Sequence, residues 1–172
     1  FLQKRAIARA ATALIDDNDA VMINGGTTTY AMVEFLRDRT LSILTNSLPF
    51  ATALLSSRNR IVMPGGAVYP EENLVLSFDD DGNVEHFPGR TVFTSCYGIN
   101  RFGLMESDPL VLQAGTQLLK RAERIVVLAD SDKLRQRTSA ITVGLSRIRT
   151  PMTDANLRRW LTYRRSVAAD FQ

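Results

Sequence analysis

The stretch Val21-Met22-Ile23-Asn24-Gly25-Gly26-Thr27-Thr28-Thr29 decides the fold, because an apolar run ends in glycines and threonines directly before a helical pattern. The apolar run predicts a buried strand, and the pattern over 28–38 predicts a helix. Glycines allow a sharp turn and a close approach to a ligand, and the first N–H groups of a helix favour anions. The junction therefore predicts a phosphate or carboxylate site. A tight turn capped by threonine is the alternative interpretation.

Strand and helix patterns alternate along the rest of the chain. Helices are predicted over 3–15, 28–38, 48–56, 109–122 and 155–163. Strands are predicted over 20–24, 41–45, 60–63, 90–95, 124–129 and 148–152, with weaker ones at 73–77 and 166–169, a turn at 79–83 and irregular chain near 138–143. This alternation with short connections predicts an α/β fold with a mostly parallel sheet and helices on both faces.

Small or polar residues follow several of these strands. They are 24–29, Asn46-Ser47, Gly65-Gly66, 95–100 and 130–133. Because the carboxyl ends of parallel strands meet at one edge of a sheet, we expect these segments to form a single ligand cleft there.

The individual candidates each have a simpler explanation beside the functional one. Lys133 suits a phosphate or pairs with a neighbouring aspartate, and Asn46 bonds a ligand or caps the next helix. Gly65 and Gly66 serve backbone geometry first. His86 is expected at the surface, and Cys96 is expected to be a buried filler. Asp108 before Pro109 reads as a helix cap.

Acidic residues are the candidates for acid–base catalysis or metal binding. The 95–100 loop holds no carboxylate, which leaves Glu71, Glu72, Glu106, Asp108, Asp130 and Asp132 as possible acids or bases. We therefore expect the cleft to hold a ligand rather than transform it. The Asp79-Asp80-Asp81-Gly82 run has its glycine too early for a calcium loop, and no metal or cofactor is expected.

Composition sets the outer limits. A chain of 172 residues, 45% of them hydrophobic, can bury one substantial core, so one domain is expected. The single cysteine fits a reducing cytoplasm, and no signal peptide or membrane span is evident. An excess of arginine near the carboxyl end fits a solvated face or a nucleic-acid surface. The helix beside residue 1 suggests part of a longer protein.

Several motifs, in order, resemble the C-terminal effector-sensing domain of the DeoR family of bacterial transcription regulators. The matching segments are 24–29, Thr45-Asn46-Ser47-Leu48, Gly65-Gly66, Gly98-Ile99-Asn100 with Gly103-Leu104, and 128–133. Asn24 and Gly25 stand where the family usually has Asp and Ser, and Gly115 stands where it often has Lys. The stretch 105–109 resembles a divergent branch of the family, one that is similar to regulators of sugar-acid metabolism.

The resemblance implies a fold like the sugar-phosphate isomerases and CoA transferases. It also implies that residues 1–172 are an effector sensor without enzyme activity and that a winged helix-turn-helix outside this chain binds operator DNA. A cytoplasmic homo-oligomer is expected. The effector would be a phosphorylated sugar or sugar acid held by Asn24, Gly25, Gly26, Thr27, Thr28, Thr29, Asn46, Gly65, Gly66, Ser95, Gly98, Asn100, Asp108 and Lys133. The alternative is a sugar-phosphate isomerase with Glu106 or Asp108 as base and Lys133 as electrostatic support.

Overall fold

The computed structural model describes residues 2–77, 82–138 and 140–153. The helices are α1 (Leu2–Thr12), α2 (Thr27–Tyr30), α3 (Val33–Leu36), α4 (Leu48–Leu54), α5 (Gly82–Glu85) and α6 (Pro109–Arg121). The strands are β1 (Ala20–Ile23), β2 (Ser42–Thr45), β3 (Arg60–Val62), β4 (Ala67–Tyr69), β5 (Leu74–Leu76), β6 (Thr91–Thr94), β7 (Gly98–Ile99), β8 (Gly103–Met105), β9 (Arg124–Ala129), β10 (Ile141–Gly144) and β11 (Ile148–Thr153). Short 3-10 turns cover Ser131–Leu134 and Leu145–Arg147.

A six-stranded parallel sheet forms the centre, in the order β11-β9-β6-β1-β2-β3. This confirms the predicted parallel α/β architecture. The order changes direction at β1, since the chain runs outward through β2 and β3 before it returns to β6 on the other side of β1. Ligands of such sheets bind at this kind of position, outside the carboxyl ends of the strands.

Alternate residues of each strand enter two separate cores, because successive side chains point to opposite faces. Ile23 and Phe93 pack with Ile7 of α1 and Leu36 of α3 on one face. On the other face, Met22 belongs to a core with residues of α5, α6 and the β7, β8 and β10 strands, including Val84, Leu118, Leu104 and Val143. The continuous apolar runs of the sequence thus reflect burial on both sides, as predicted.

The prediction of one continuous helix over 28–38 is wrong, because the structure has two short helices there, α2 and α3. Ala31 and Met32 separate α2 from α3, and the N–H of Met32 donates to the carbonyl of Thr29 at 3.0 Å. This bond spans three residues and marks a local 3-10 turn. Threonine is β-branched and has a low helix propensity. The hydroxyl of Thr29 also bonds to the carbonyl of Asn24, and such side-chain bonds to the backbone compete with a regular helix.

Two small antiparallel sheets were not predicted, although the weak strand predicted at 73–77 is confirmed as β5. β4 pairs with β5, and β8 pairs with both β7 and β10. The 95–100 loop and the chain near 138–143 therefore contain strand residues, and α5 replaces part of the turn predicted at 79–83. The other four strands have two to four residues, too few for an alternating pattern to show.

Two predictions fall outside the described residues, namely the helix at 155–163 and the strand at 166–169. None of the helices in the described part of the chain has the length and apolar character needed to cross a membrane.

Candidate functional site

A cleft of about 900 Å³ opens at the carboxyl end of the parallel sheet. The segments after β1, β6 and β9 contribute to it, as predicted from their position in the sheet. Of the predicted site residues, those that line the cleft are Asn24, Gly25, Gly26, Thr27, Ser95, Asp108 and Lys133. One face of α6 closes the opposite side with Val111, Leu112, Gly115 and Leu119.

Two asparagines from neighbouring strands hold the turn after β1. The N–H of Gly25 donates to Oδ1 of Asn46 at 2.8 Å, and Nδ2 of Asn46 donates to Oδ1 of Asn24 at 2.7 Å. Asn46 is fully buried and lies behind the cleft lining. Ser47 caps α4 in place of Asn46, which bonds the turn instead, and the ligand-binding role of Asn46 stays a prediction.

The glycines of this turn provide space. A Cβ on Gly25 would lie 2.2 Å from Cδ2 of Leu74, and one on Gly26 would lie 3.0 Å from Cβ of Ser95. The backbone of Gly26 is extended (φ 161°, ψ 156°), so close packing explains the glycine there. The turn thus lies directly against β5 and the end of β6.

The three threonines have different environments. Thr27 is exposed to the cleft, whereas Thr28 is fully buried and its hydroxyl has no hydrogen-bond partner among the described residues. The hydroxyl of Thr29 donates to the carbonyl of Asn24 at 2.8 Å, with the carbonyl of Gly26 at 2.9 Å. Thr29 therefore acts as the turn-stabilising threonine, and Thr27 is the one of the three that faces the cleft.

Two lysines bring positive charge to the cleft. Lys133 lines it and makes no ion pair with any described carboxylate, although pairing with a neighbouring aspartate was the alternative prediction. Lys4 of α1 also lines it, and its Nζ donates to Oγ1 of Thr27 at 2.8 Å. Sequence reasoning missed Lys4. The pattern of basic and apolar residues in α1 places Lys4 on the polar face of the helix. It does not show that this face lies beside the turn after β1.

Carboxylates line the other side of the cleft. Glu71 and Glu72 come from the connection between β4 and β5, and Glu106 and Asp108 come from the connection between β8 and α6. Four of the six acids that the sequence left as possible acids or bases therefore line the cleft. The loop 95–100 has none, as noted from the sequence, and the two small antiparallel sheets bring these acids to the cleft.

Asp108 is committed to structural bonds. Its Oδ1 accepts from the N–H groups of Leu110 at 2.8 Å and Val111 at 3.3 Å, which confirms the predicted cap of α6. Its Oδ2 accepts from the hydroxyl of Tyr69 at 2.8 Å. The hydrogen bond from Tyr69 lowers the pKa of Asp108, and the same bond raises the pKa of Tyr69 to about 12. A carboxylate with a lowered pKa is a weak base near neutral pH.

Cys96 is buried, as predicted, and it contributes to the cleft lining. Burial raises the pKa of its thiol to about 12, and the opposing charge of Lys133 offsets only part of that effect. The thiol is therefore protonated at neutral pH and is a poor nucleophile.

The remaining predicted site residues, Gly65, Gly66, Gly98 and Asn100, lie outside the cleft lining. Gly65 and Gly66 precede β4, and a Cβ on Gly66 would lie 2.0 Å from the carbonyl oxygen of Leu76. Gly98 packs beneath Met105, and Asn100 accepts from the N–H groups of Phe102 and Gly103 in the β7–β8 turn. These residues support the units around the cleft, and its lining is formed by others.

A search of the described residues for three or more histidine, cysteine or acidic side chains that could hold a metal ion finds no such group. His86 is exposed in the α5 region, where its Nδ1 lies 3.0 Å from the carbonyl of Gly82. The chemistry of the cleft therefore rests on lysines, carboxylates, amides and backbone N–H groups.

Comparisons with known proteins agree with this geometry. The model of the DeoR C terminal sensor domain matches residues 2–155. The chain is 28% identical over 155 residues to the HTH-type transcriptional regulator UlaR of Shigella dysenteriae, covering 90% of this chain and 61% of that protein. The chain therefore spans about three fifths of the length of the curated relatives that it matches.

Solved structures show the same fold at low identity. A ribose-5-phosphate isomerase in complex with phospho-erythronic acid has a TM-score of 0.54 and 16% identity, covering 76% of this chain and 52% of that one. A probable sor operon regulator from Shigella flexneri has a TM-score of 0.52 and 12% identity, covering 96% of this chain and 87% of that one. The predicted isomerase-like fold is confirmed.

Proposed function

This chain belongs to the DeoR C-terminal sensor domain family, and from that premise we propose that its cleft binds a phosphorylated sugar or sugar acid. The observation that carries the proposal is the pair of lysines beside the turn after β1. Lys4 reaches the hydroxyl of Thr27, Lys133 lines the same cleft, and neither forms an ion pair with a described carboxylate. This arrangement supports an anion-binding end of the cleft.

The phosphate would lie at this end. The N–H groups of Thr27 and Thr28 open a helical turn and have no intrahelical acceptor. The hydroxyl of Thr27 and the ammonium groups of Lys4 and Lys133 would add charged and neutral donors.

The polyol part of the ligand would lie between the acids and α6. Glu71, Glu72 and Glu106 can accept hydrogen bonds from sugar hydroxyls. Val111 and Leu112 give the carbon skeleton an apolar surface. A ribose-5-phosphate isomerase of the same fold was solved with phospho-erythronic acid, which supports a ligand that has both a phosphate and a sugar-acid end.

For the whole protein, we propose that an N-terminal winged helix-turn-helix binds operator DNA and that the effector changes its affinity. The curated relatives are HTH-type transcriptional regulators of greater length than this chain. A ligand that binds one arrangement of a cytoplasmic homo-oligomer more tightly would shift operator binding by that difference in affinity.

The first test is a thermal-unfolding screen with inorganic phosphate, ribose-5-phosphate and phospho-erythronic acid. We expect Lys4→Met and Lys133→Met to weaken phosphate binding about tenfold each, because each removes one charged hydrogen bond. The control variants are Arg9→Met on α1 and Lys120→Met on α6, because both side chains are exposed and lie outside the cleft lining. Equal effects in controls and test variants would contradict the proposed phosphate site.

The threonines give a second, uncharged test. Thr27→Val should weaken phosphate binding, since it removes a hydroxyl that faces the cleft. Thr28→Val is the matched control, because the hydroxyl of Thr28 is buried without a partner among the described residues. A larger loss of binding in Thr28→Val than in Thr27→Val would reverse the assignment.

The carboxylates in the cleft favour one alternative, an isomerase with Glu106 or Asp108 as base. The bonds of Asp108 to Tyr69 and to the start of α6 oppose that role for Asp108, and the relatives are named as regulators. Incubation with ribose-5-phosphate separates the two functions. Turnover that is lost in Glu106→Gln would establish the enzyme, and binding without turnover supports the sensor.

A further inference from the structure

The floor of the cleft contains a buried amide whose orientation can be assigned. The N–H of Gly25 can only donate, so the atom of Asn46 that it contacts at 2.8 Å must be the oxygen Oδ1. The other end of that amide, Nδ2, must then donate, and it contacts Asn24 at 2.7 Å. The contacted atom of Asn24 is therefore its oxygen, and the NH₂ group points the other way.

The NH₂ group of Asn24 has one donor in use. Nδ2 donates to Oγ1 of Thr94 at 3.1 Å, and the hydroxyl of Thr94 donates onward to the carbonyl of Ser95 at 3.0 Å. Asn24 is 9% exposed, and no second acceptor for its Nδ2 occurs among the described residues. One N–H donor of a side chain that is nine-tenths buried thus remains unpaired at the cleft.

Gly115 lets this amide pack directly against α6 at the edge of the cleft. On the face of α6 that lines the cleft, Val111, Leu112 and Leu119 carry side chains, and Gly115 lies between them. A Cβ on Gly115 would lie 2.7 Å from Nδ2 of Asn24. Its three nearest neighbours all belong to the Asn24 carboxamide, which two hydrogen bonds hold in place.

We propose that Gly115 and Asn24 form a specificity-determining pair that presents an N–H donor to an acceptor oxygen of the ligand, such as a carboxylate or carbonyl oxygen. The proposal rests on the proposed function, since the ligand is taken to be held by its phosphate at the Thr27 end. An ammonium group cannot accept a hydrogen bond and is disfavoured at this position. The pair therefore selects the end of the ligand opposite its phosphate.

The test compares phospho-erythronic acid with inorganic phosphate by isothermal titration calorimetry. The measured quantity is the ratio of the two affinities, because it separates the acid end from the phosphate end. We expect Gly115→Ala to lower this ratio about tenfold, because its methyl group would lie 2.7 Å from Nδ2 and displace the amide. Asn24→Asp keeps the shape but removes the donor, and it should lower the ratio by a similar factor. Gln113→Ala, on α6 but outside the cleft lining, is the matched control and should leave the ratio unchanged.

Each other outcome overturns a specific statement. If the unmodified chain binds neither compound, the proposed function fails and this inference fails with it. If it binds phosphate but binds phospho-erythronic acid no more tightly, or if both variants keep the original ratio, the pair has no role in specificity while the phosphate site stands. A ratio that falls in only one variant overturns the pairing. Asn24→Asp also keeps the test valid if Gly115→Ala does not fold.

Discussion

The two walls of the cleft differ in how they are built and in the charge that they carry. The sheet wall consists of Gly25, Gly26, Thr27, Ser95 and Lys133, which follow parallel strands. The added wall consists of Glu71, Glu72, Glu106 and Asp108, which lie beside short antiparallel strands. The first wall offers donors and a cation, and the second offers acceptors. A ligand that satisfies both needs an anionic group and hydroxyl groups, as a sugar phosphate has.

The largest expected effect tests how tightly the sheet wall is packed. Gly25→Ala places a methyl group 2.2 Å from Leu74, so we expect the free energy of unfolding to fall by about 3 kcal/mol, at the upper end for overpacking. Urea denaturation measures it. Gly144→Ala is the control, since its nearest contacts would lie at 3.9 Å and its stability should change by less than about 0.5 kcal/mol. Equal losses would show that Leu74 does not restrict Gly25.

The next effect compares two asparagines that each hold a turn. Asn46→Ala leaves the N–H of Gly25 and the oxygen of Asn24 without partners in a buried site, so we expect a loss of about 2 kcal/mol. Asn100→Ala acts in the half-buried β7–β8 turn, where water can replace the lost bonds, and should cost about 1 kcal/mol. Chemical denaturation measures the loss of stability in both variants. A larger loss in Asn100→Ala than in Asn46→Ala would mean that the β7–β8 turn contributes more to stability than the turn after β1.

Asp108 tests the added wall. Asp108→Ala removes the cap of α6 and should cost about 1 kcal/mol in thermal unfolding, whereas Asp108→Asn keeps a capping side chain and should cost less. Both variants should lower the pKa of Tyr69 from about 12 toward its ordinary value of 10. The tyrosine absorbance titration measures this, with Tyr69→Phe identifying the transition.

The sign of the Tyr69 effect also gives a pH dependence. Because the folded-state pKa of Tyr69 is raised, its contribution to stability is present below pH 10 and is lost as the pH rises toward 12. Asp108→Asn should remove that loss. A tyrosine titration that is identical with and without Asp108 would contradict the hydrogen bond.

The smallest effect concerns α1, which brings Lys4 to the sheet wall. Nε of Arg5 donates to Glu34 of α3 at 2.8 Å, and this bond lowers the pKa of Glu34. Its contribution is therefore present above pH 4.5 and is lost as the pH falls through the lower folded-state value. Glu34→Gln should reduce stability slightly at neutral pH and not at all in strong acid, in denaturation curves recorded over that range. A difference that persists in strong acid would indicate a cause other than charge.

The sequence predicted the sheet wall well for a physical reason. Strands such as β1 and β9 are apolar throughout because both of their faces are buried, and the small or polar residues after them mark the edge of the sheet. Asp108 was recognisable as a cap because capping depends on residues only two or three positions away. Cys96 was correctly expected to be buried.

The added wall, and the roles of Lys4 and Asn46, could not be predicted from neighbouring residues in the sequence. Glu71 and Glu72 reach the cleft through the pairing of β4 with β5, and neither the three-residue strand β4 nor this pairing was predicted. Lys4 is as basic as its neighbour Arg5, and only the packing of α1 directs one to Thr27 and the other to Glu34. The role of Asn46 depends on a contact with Gly25, which is far away in sequence.

The sequence by itself determined the parallel α/β fold, the edge of the sheet at which the cleft opens and the donors that follow β1. These properties arise from strand burial and local turn chemistry, which operate over a few neighbouring residues. The tertiary structure alone decided which side chains share the cleft, since that depends on which distant segments meet. It placed Lys4 beside Thr27, four carboxylates opposite, and Gly115 against the amide of Asn24.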